Sequence, residues 1–298
     1  MLFAMTRLRG LGAIVIGSAL AVLLALVAFS SDAQANHSWG NYHWARTNNN
    51  LFNLPMGDNV TLAWDSYLRT TATDWWSASS VLDTTVVAGK TSRSNCRPSS
   101  GRVEVCNAAY GTNGWLGVAQ IWVSRRHIVQ GTTKVNDTYF KTAKYNTPAW
   151  RNLVMCQEVG HTFGLDHQDE IFNNTNLGTC MDYTNDPTGL AGTNGTLSNE
   201  QPNQGDYDEL LCVYDPAYNG VTLSTNTHGC TGTGHLDSTT TVGSASAANA
   251  MPPAANQGNF NSRAEWGRKI HESPNGQLEL YERDFGGGKK MFTFVILA

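Results

Sequence analysis

The sequence predicts an α+β domain on a mixed, twisted sheet, and three features carry that reading. Apolar side chains recur at helical spacing over residues 59–76, and β-branched and aromatic runs follow between residues 81 and 140. A second, well-capped helix is then expected over residues 147–164.

The first helix rests on Val60, Ala63, Trp64, Tyr67, Leu68, Ala72 and Trp75, which share one face at a helical period. Residues 81–88, 102–106, 115–123 and 127–140 then read as strands, the last with polar breaks. In the second helix Thr147 is placed to cap, Pro148 suits the first turn, and Trp150, Leu153, Val154 and Val159 form the apolar stripe. Gly164 is the expected stop, since glycine tolerates a left-handed residue. A long loop and a short closing helix over 206–213 complete this unit, which spans residues 36–218.

Residues 219–261 shift to Thr, Ser, Gly, Ala and Asn and read as a linker. The segment 262–298 recovers strand character over 277–285 and 289–297, joined by Gly286, Gly287 and Gly288, and is expected to form a β-hairpin. A lone hairpin is rarely stable, so its packing partner is left open.

Residues 1–35 read as a signal peptide. Arg7 and Arg9 precede an apolar run over 11–29, and Ala33-Gln34-Ala35 offers a small-x-small cleavage site. The rival reading is an uncleaved anchor, because the run is just long enough to span a bilayer. Both place the remainder outside the cytoplasm, and cleavage would leave a secreted chain with no membrane partner. The six cysteines, an even number with no Cys-x-x-Cys pair, agree with an oxidising compartment. Nearest-neighbour pairing (96–106, 156–180, 212–230) is preferred because each bridge closes a local loop, although other connectivities are open. A formal charge of −4 without a Lys/Arg cluster argues against nucleic acid as a partner.

The chemistry concentrates in QEVGHTFGLDH, residues 157–167. Gln157 and His161 stand at i and i+4 and face the same way from successive turns. Glu158 is one position round, within reach of a water on an ion held there. Gly164 permits the turn that brings back His167. Three protein ligands leave a fourth position open, as in a catalytic rather than structural zinc site.

This spacing resembles the metzincin signature H-E-x-x-H-x-x-G-x-x-H with its following Met-turn, here Cys180-Met181-Asp182-Tyr183. EVGHTFGLDH is most similar to the matrixin group, and the resemblance covers about residues 40–218. It implies a secreted zinc endopeptidase acting on protein or peptide substrates. His161 and His167 would be zinc ligands, Glu158 the general base, Met181 an apolar floor under the metal and Tyr183 an oxyanion donor. Gly117, Val118 and Ala119 would lie on an edge strand that aligns an extended substrate, with Trp115 the one tryptophan near enough to touch it.

The departure is Gln157, which stands where the signature has its first histidine. Its amide oxygen is a weaker, neutral donor, so the residues leave two readings: a working site, or a scaffold that has become a secreted binding protein. A Cys156–Cys180 bridge would tie the motif helix to the Met-turn and hold the site's geometry. His127 is a lesser candidate for the missing ligand. Asp166, Asp169, Glu170, Asp182 and Asp186 make Ca2+ a second candidate ion, although they lack an EF-hand pattern and read more simply as a solvated acidic loop.

Overall fold

The computed structural model describes residues 38, 42–44, 52–77, 81–190, 197–214 and 250–298. The signal-peptide segment, most of the expected linker and Cys230 lie outside the described residues. The strands are β1 (His43–Trp44), β2 (Phe52–Asn59), β3 (Leu82–Ala88), β4 (Val103–Ala108), β5 (Trp115–Ser124), β6 (His127–Asn136), β7 (Arg268–Glu272), β8 (Leu278–Asp284) and β9 (Lys289–Leu297). The helices are α1 (Leu62–Ser77), α2 (Pro148–His161), α3 (Gln204–Tyr214), α4 (Ala254–Gln257) and α5 (Arg263–Trp266). A mixed sheet with few helices makes this an α+β arrangement.

The sheet order is β3-β2-β4-β6-β5-β9-β8-β7, with β1 pairing the start of β6. The strands β3, β2, β4 and β6 run parallel, β5 is antiparallel to β6, and β9, β8 and β7 continue antiparallel. Trp64, Leu68, Ala72 and Trp75 put one face of α1 into the core, as their spacing predicts. Trp75 joins the two long helices by donating its indole N–H to the Cys156 carbonyl at 3.2 Å.

The first helix begins later than its apolar period suggests, because residues 52–59 form β2. Nothing local marks that strand: Pro55, Gly57 and Asp58 are all poor strand formers. It is stabilised instead by parallel pairing on both sides, with β3 and β4.

The C-terminal region departs most from expectation. Strands β8 and β9 pair across the glycine turn, β7 adds a third strand, and β9 docks along the whole of β5. Side chains of β9 alternate between two cores. Phe292, Phe294 and Ile296 face the core shared with α1 and α2, while Met291 and Val295 join Trp115, Trp122, Phe260 and Trp266 on the opposite face. Both faces of β5 are therefore covered, and all ten of its residues are buried. The stretch 250–261, expected as the end of a linker, packs Ala255 and Phe260 into the second core.

Cys96–Cys106 and Cys156–Cys180 are bonded, as nearest-neighbour pairing predicts. The third expected pair includes Cys230, outside the described residues. Among the described residues no helix is long and apolar enough to cross a membrane.

Candidate metal centre

Helix α2 starts where its sequence says it should. Thr147 accepts a hydrogen bond from the Trp150 amide at 3.3 Å and Pro148 occupies the first turn, where its missing N–H costs nothing. From there Leu153, Val154 and Val159 hold the helix on the core, so its last turns bring Gln157, Glu158 and His161 inside. The helix ends at His161, and Gly164 follows at φ 96°. A side chain at Gly164 would meet the Tyr42 carbonyl as well as the left-handed strain, so only glycine serves here. The reversal carries His167 back beneath the helix.

The two imidazoles converge. His161 Nε2 lies 3.1 Å from His167 Nε2. On the other side of its ring, His161 Nδ1 sits 2.9 Å from the Leu165 carbonyl, an acceptor that fixes the proton on Nδ1 and leaves the Nε2 lone pair facing inward. Burial pushes His161 down to about 3, and the neighbouring His167 adds to the effect, so the ring is neutral at any ordinary pH. His167 Nδ1 lies 3.3 Å from Asp166 Oδ1 and 4.0 Å from Glu170 Oε1. Burial pulls Asp166 upward, but its bond to His167 and the charge there outweigh it and hold the carboxyl below its usual range.

Gln157 and Glu158 lie one turn earlier on the same helix. Both are fully buried, and neither the Gln157 amide atoms nor the Glu158 carboxylate oxygens have a hydrogen-bond partner of good geometry. Burial pushes Glu158 well above the carboxylate range, and the Ala119 and Ile296 amides that face it pull only partly back. Buried polar groups left this way are costly unless something else satisfies them. The buried ring nitrogens of His161 and His167, 3.1 Å apart, and the unpartnered Gln157 amide are donor types that fit a divalent transition ion such as zinc. The carboxylates of Asp166 and Glu170 and the His167 ring also place their ligand atoms within 4.8 Å of one another.

Met181 sits under the helix. A Cβ added at Gly160 would lie 2.6 Å from Met181 Sδ and 2.7 Å from Trp75 Cζ2, so the helix presses directly on the turn. The turn is tied to the returning loop by the Gln168 amide, which donates to the Met181 carbonyl at 2.7 Å. The Cys156–Cys180 bridge joins the residue before Gln157 to the residue before Met181, with Cα atoms 5.9 Å apart. Tyr183 is buried, its ring 6.2 Å from that of His167, and its hydroxyl donates to the Gln277 carbonyl at 2.6 Å. Burial raises the Tyr183 phenol above its ordinary range.

Other expectations change. Strand β5 is not an edge: Gly117 pairs with Ile296, Val118 with Val295 and Ala119 with Phe294, so its free side is taken by β9. Gly117 does touch the site from behind, since a Cβ there would come within 2.6 Å of Glu158 Oε1. Trp115 is fully buried in the second core and donates to the Asn261 carbonyl at 3.2 Å, away from any substrate. His127 lies edge-on against His43, with centroids 5.2 Å apart, rather than among the motif residues.

The acidic residues do not form one solvated loop. Asp182 is buried and accepts from the Leu177 and Asn199 nitrogens, each at 2.8 Å, while Asp186 accepts from Thr188 at 2.8 Å. Both are committed to holding turns.

Sequence reasoning missed Phe294 and Ile296. Phe294 stacks on His161 with centroids 4.2 Å apart and planes 8° from parallel. No local signal marks either residue, since each reaches the site only through the register of β9 on β5.

No family model matches the chain, and no curated protein does. Among solved structures it is similar to high choriolytic enzyme 1 (HCE-1), a hatching enzyme zinc-protease from Oryzias latipes (medaka fish). The likeness is at 9% identity and a TM-score of 0.31, covering 57% of this chain and 92% of that chain.

Proposed function

We propose that this chain is a secreted, zinc-dependent endopeptidase with Glu158 as its general base. The observation that carries the reading is the approach of the buried His161 and His167 Nε2 atoms to 3.1 Å, with a buried Glu158 one turn before His161 on the same helix. The metzincin resemblance and the order of elements (helix, strands, motif helix, Met-containing turn, final helix) support it.

His161 and His167 through Nε2, and Gln157 through its amide oxygen, would hold the ion. When bound, zinc supplies Lewis acidity toward the scissile carbonyl and lowers the pKa of water. The chain's own residues do the rest. The Leu165 carbonyl and the Asp166 carboxylate orient the two imidazoles. Glu158 would accept the proton of the attacking water and return it to the leaving amine. Tyr183 would donate its hydroxyl hydrogen to the developing oxyanion once released from Gln277. The Cys156–Cys180 bridge and Met181 fix the helix end against the turn, compensating for a weaker first ligand.

The test combines metal content with hydrolysis of an unstructured protein. Wild type is expected to bind one zinc per chain and Gln157→His to bind it more tightly. Glu158→Gln should keep zinc and lose about 10²- to 10⁴-fold in rate. Zinc-independent cleavage, or cleavage by Glu158→Gln at the wild-type rate, sinks the mechanism. A second reading, a secreted binding scaffold without turnover, is favoured by Gln157 itself. A wild type that holds no zinc beside a Gln157→His variant that does would put that reading first.

A further inference from the structure

The residues assigned to metal and proton transfer are closed off by the chain's own C-terminus. Strand β9 runs antiparallel along β5 from Ser124↔Lys289 to Trp115↔Leu297. An extended peptide that recognises a sheet edge does so by main-chain pairing of this kind, with side chains filling pockets on alternate positions. On β5 that pairing is already made.

The contact extends beyond the ladder to the chemistry. Phe294 lies flat on the His161 ring, and the Ile296 amide faces the Glu158 carboxylate. The carbonyl of Gln277, just before β8, takes the Tyr183 hydroxyl. On β7, His271 lies 2.8 Å from Glu170, which itself flanks His167. Under this cover Gln157 and Glu158 are 0% exposed, His161 1% and His167 5%. A substrate carbonyl has no route to them while β9 is in place.

The segments that lead into β9 are also held in place. Lys134 on β6 is fully buried, and its Nζ donates to the Asn259 carbonyl at 2.6 Å and to Asn261 Oδ1 at 2.9 Å. Arg263, on α5, pairs with Glu279 of β8 at 2.8 Å. Because β9 belongs to the same chain, it meets β5 at a high effective concentration, and a peptide in solution competes poorly with it.

On the endopeptidase reading, from which this follows, we propose that β9 is an intramolecular inhibitory strand. It occupies the groove along β5 that an extended peptide substrate would take, and turnover requires β9 to leave. The protein as folded is then a latent form whose plug is its own C-terminal strand, with Phe294 as the residue that caps the metal ligands.

The experiment uses the full-length protein as wild type, Val295→Pro and Phe294→Ala. Proline removes an N–H and fixes φ in a strand paired on both sides, so it acts on the ladder. Phe294→Ala leaves the ladder intact and removes the ring over His161 from the core it shares with α1 and α2, and it serves where the proline variant fails to fold, as judged by near-ultraviolet circular dichroism. Two readouts are taken. The first is carbethoxylation of His161 and His167 by diethyl pyrocarbonate in the metal-free protein, mapped by mass spectrometry. The second is casein hydrolysis by the zinc-loaded protein.

We expect both histidines to react at least about tenfold faster in the variants, and hydrolysis to rise by about tenfold or more, as the open population grows. Histidines as reactive in wild type as in the variants would show an open site and overturn the proposal. Reactive histidines with hydrolysis unchanged from a measurable wild-type rate would also overturn it, while leaving the endopeptidase reading in place. Zinc-loaded, reactive variants that cleave nothing, beside a wild type that cleaves nothing, would bring down the endopeptidase reading and the inhibitory role together.

Discussion

Residues 156–183 and residues 268–297 meet around His161 by opposite routes. In the first segment, polar groups converge through local spacing: Gln157 and His161 on successive turns, Gly164 reversing the chain, His167 returning, and Cys180 bonded back to Cys156. In the second, Phe294 and Ile296 arrive only because β9 chooses β5 as its partner far back in the chain. Local geometry is written into a sequence as spacing. Register between distant strands is written only in which faces are apolar, and many partners satisfy that condition.

Removing each disulfide in turn carries the largest expected effect on stability and isolates what the brace at the motif helix contributes. Both bridges close short loops, with separations of 24 and 10 residues, so chain entropy alone predicts a loss of about 3 kcal/mol each and a difference of under about 1 kcal/mol between them. Zinc affinity should distinguish them sharply. The double variant Cys156→Ser/Cys180→Ser frees the helix end from the Met181 turn and is expected to lose at least about tenfold in affinity, in the range seen when supporting residues are removed. The double variant Cys96→Ser/Cys106→Ser touches strand β4 and its loop, and should bind zinc as wild type does. Equal zinc titrations for the two would show that the motif holds its geometry without the brace.

A smaller effect tests the two flanks of β5. Gly117 faces Glu158 and Val154, and a methyl there would sit 2.6 Å and 2.7 Å from their atoms. Gly131, on the β6 flank, would meet nothing closer than 3.4 Å. Gly117→Ala is therefore expected to cost about 1–3 kcal/mol through overpacking and to displace the Glu158 carboxylate. Gly131→Ala should be neutral or stabilise by up to about 1 kcal/mol, since alanine reduces the freedom of the unfolded chain. Denaturant unfolding of the pair reads this directly, and similar midpoints for both would mean that α2 yields to the added methyl.

Much of the candidate site was legible for the reason just given. The spacing from Gln157 to His167 marked the two histidines that approach each other, and Cys-Met-Asp-Tyr marked the turn against the helix. What was illegible had no local signature. Residues 52–59 form a strand despite Pro55 and Gly57, because pairing with β3 and β4 outweighs their poor propensity. Strand β9 was readable as strand-like after the glycine turn, yet nothing in KKMFTFVIL specified β5. The open substrate edge expected at Gly117, Val118 and Ala119 failed on that point alone. Residues 250–261 read as linker because they are short of large apolar side chains, but Ala255, Phe260 and the partly buried Met251 anchor them in the second core.

The finest distinction between the two regions is electrostatic, and it falls on Lys134. Lys134 is a buried lysine that holds the C-terminal stretch, with Asn259, Phe260 and Asn261 as its acceptors. Burial lowers its pKa from 10.5 to about 7, against a smaller opposing pull from Glu265. Between those two values the unfolded chain binds the extra proton, so stability rises with pH across the window, by at most about 1.4 kcal/mol per pH unit, and flattens below pH 7. Lys134→Met has no proton to bind there. The difference in unfolding free energy between wild type and Lys134→Met should therefore shift in favour of wild type from about pH 7 upward. A difference flat with pH would mean that the three acceptors keep the ammonium charged despite its burial. The C-terminal stretch would then be pinned by a permanent cation, and its hold on β6 would no longer loosen as the solution is acidified.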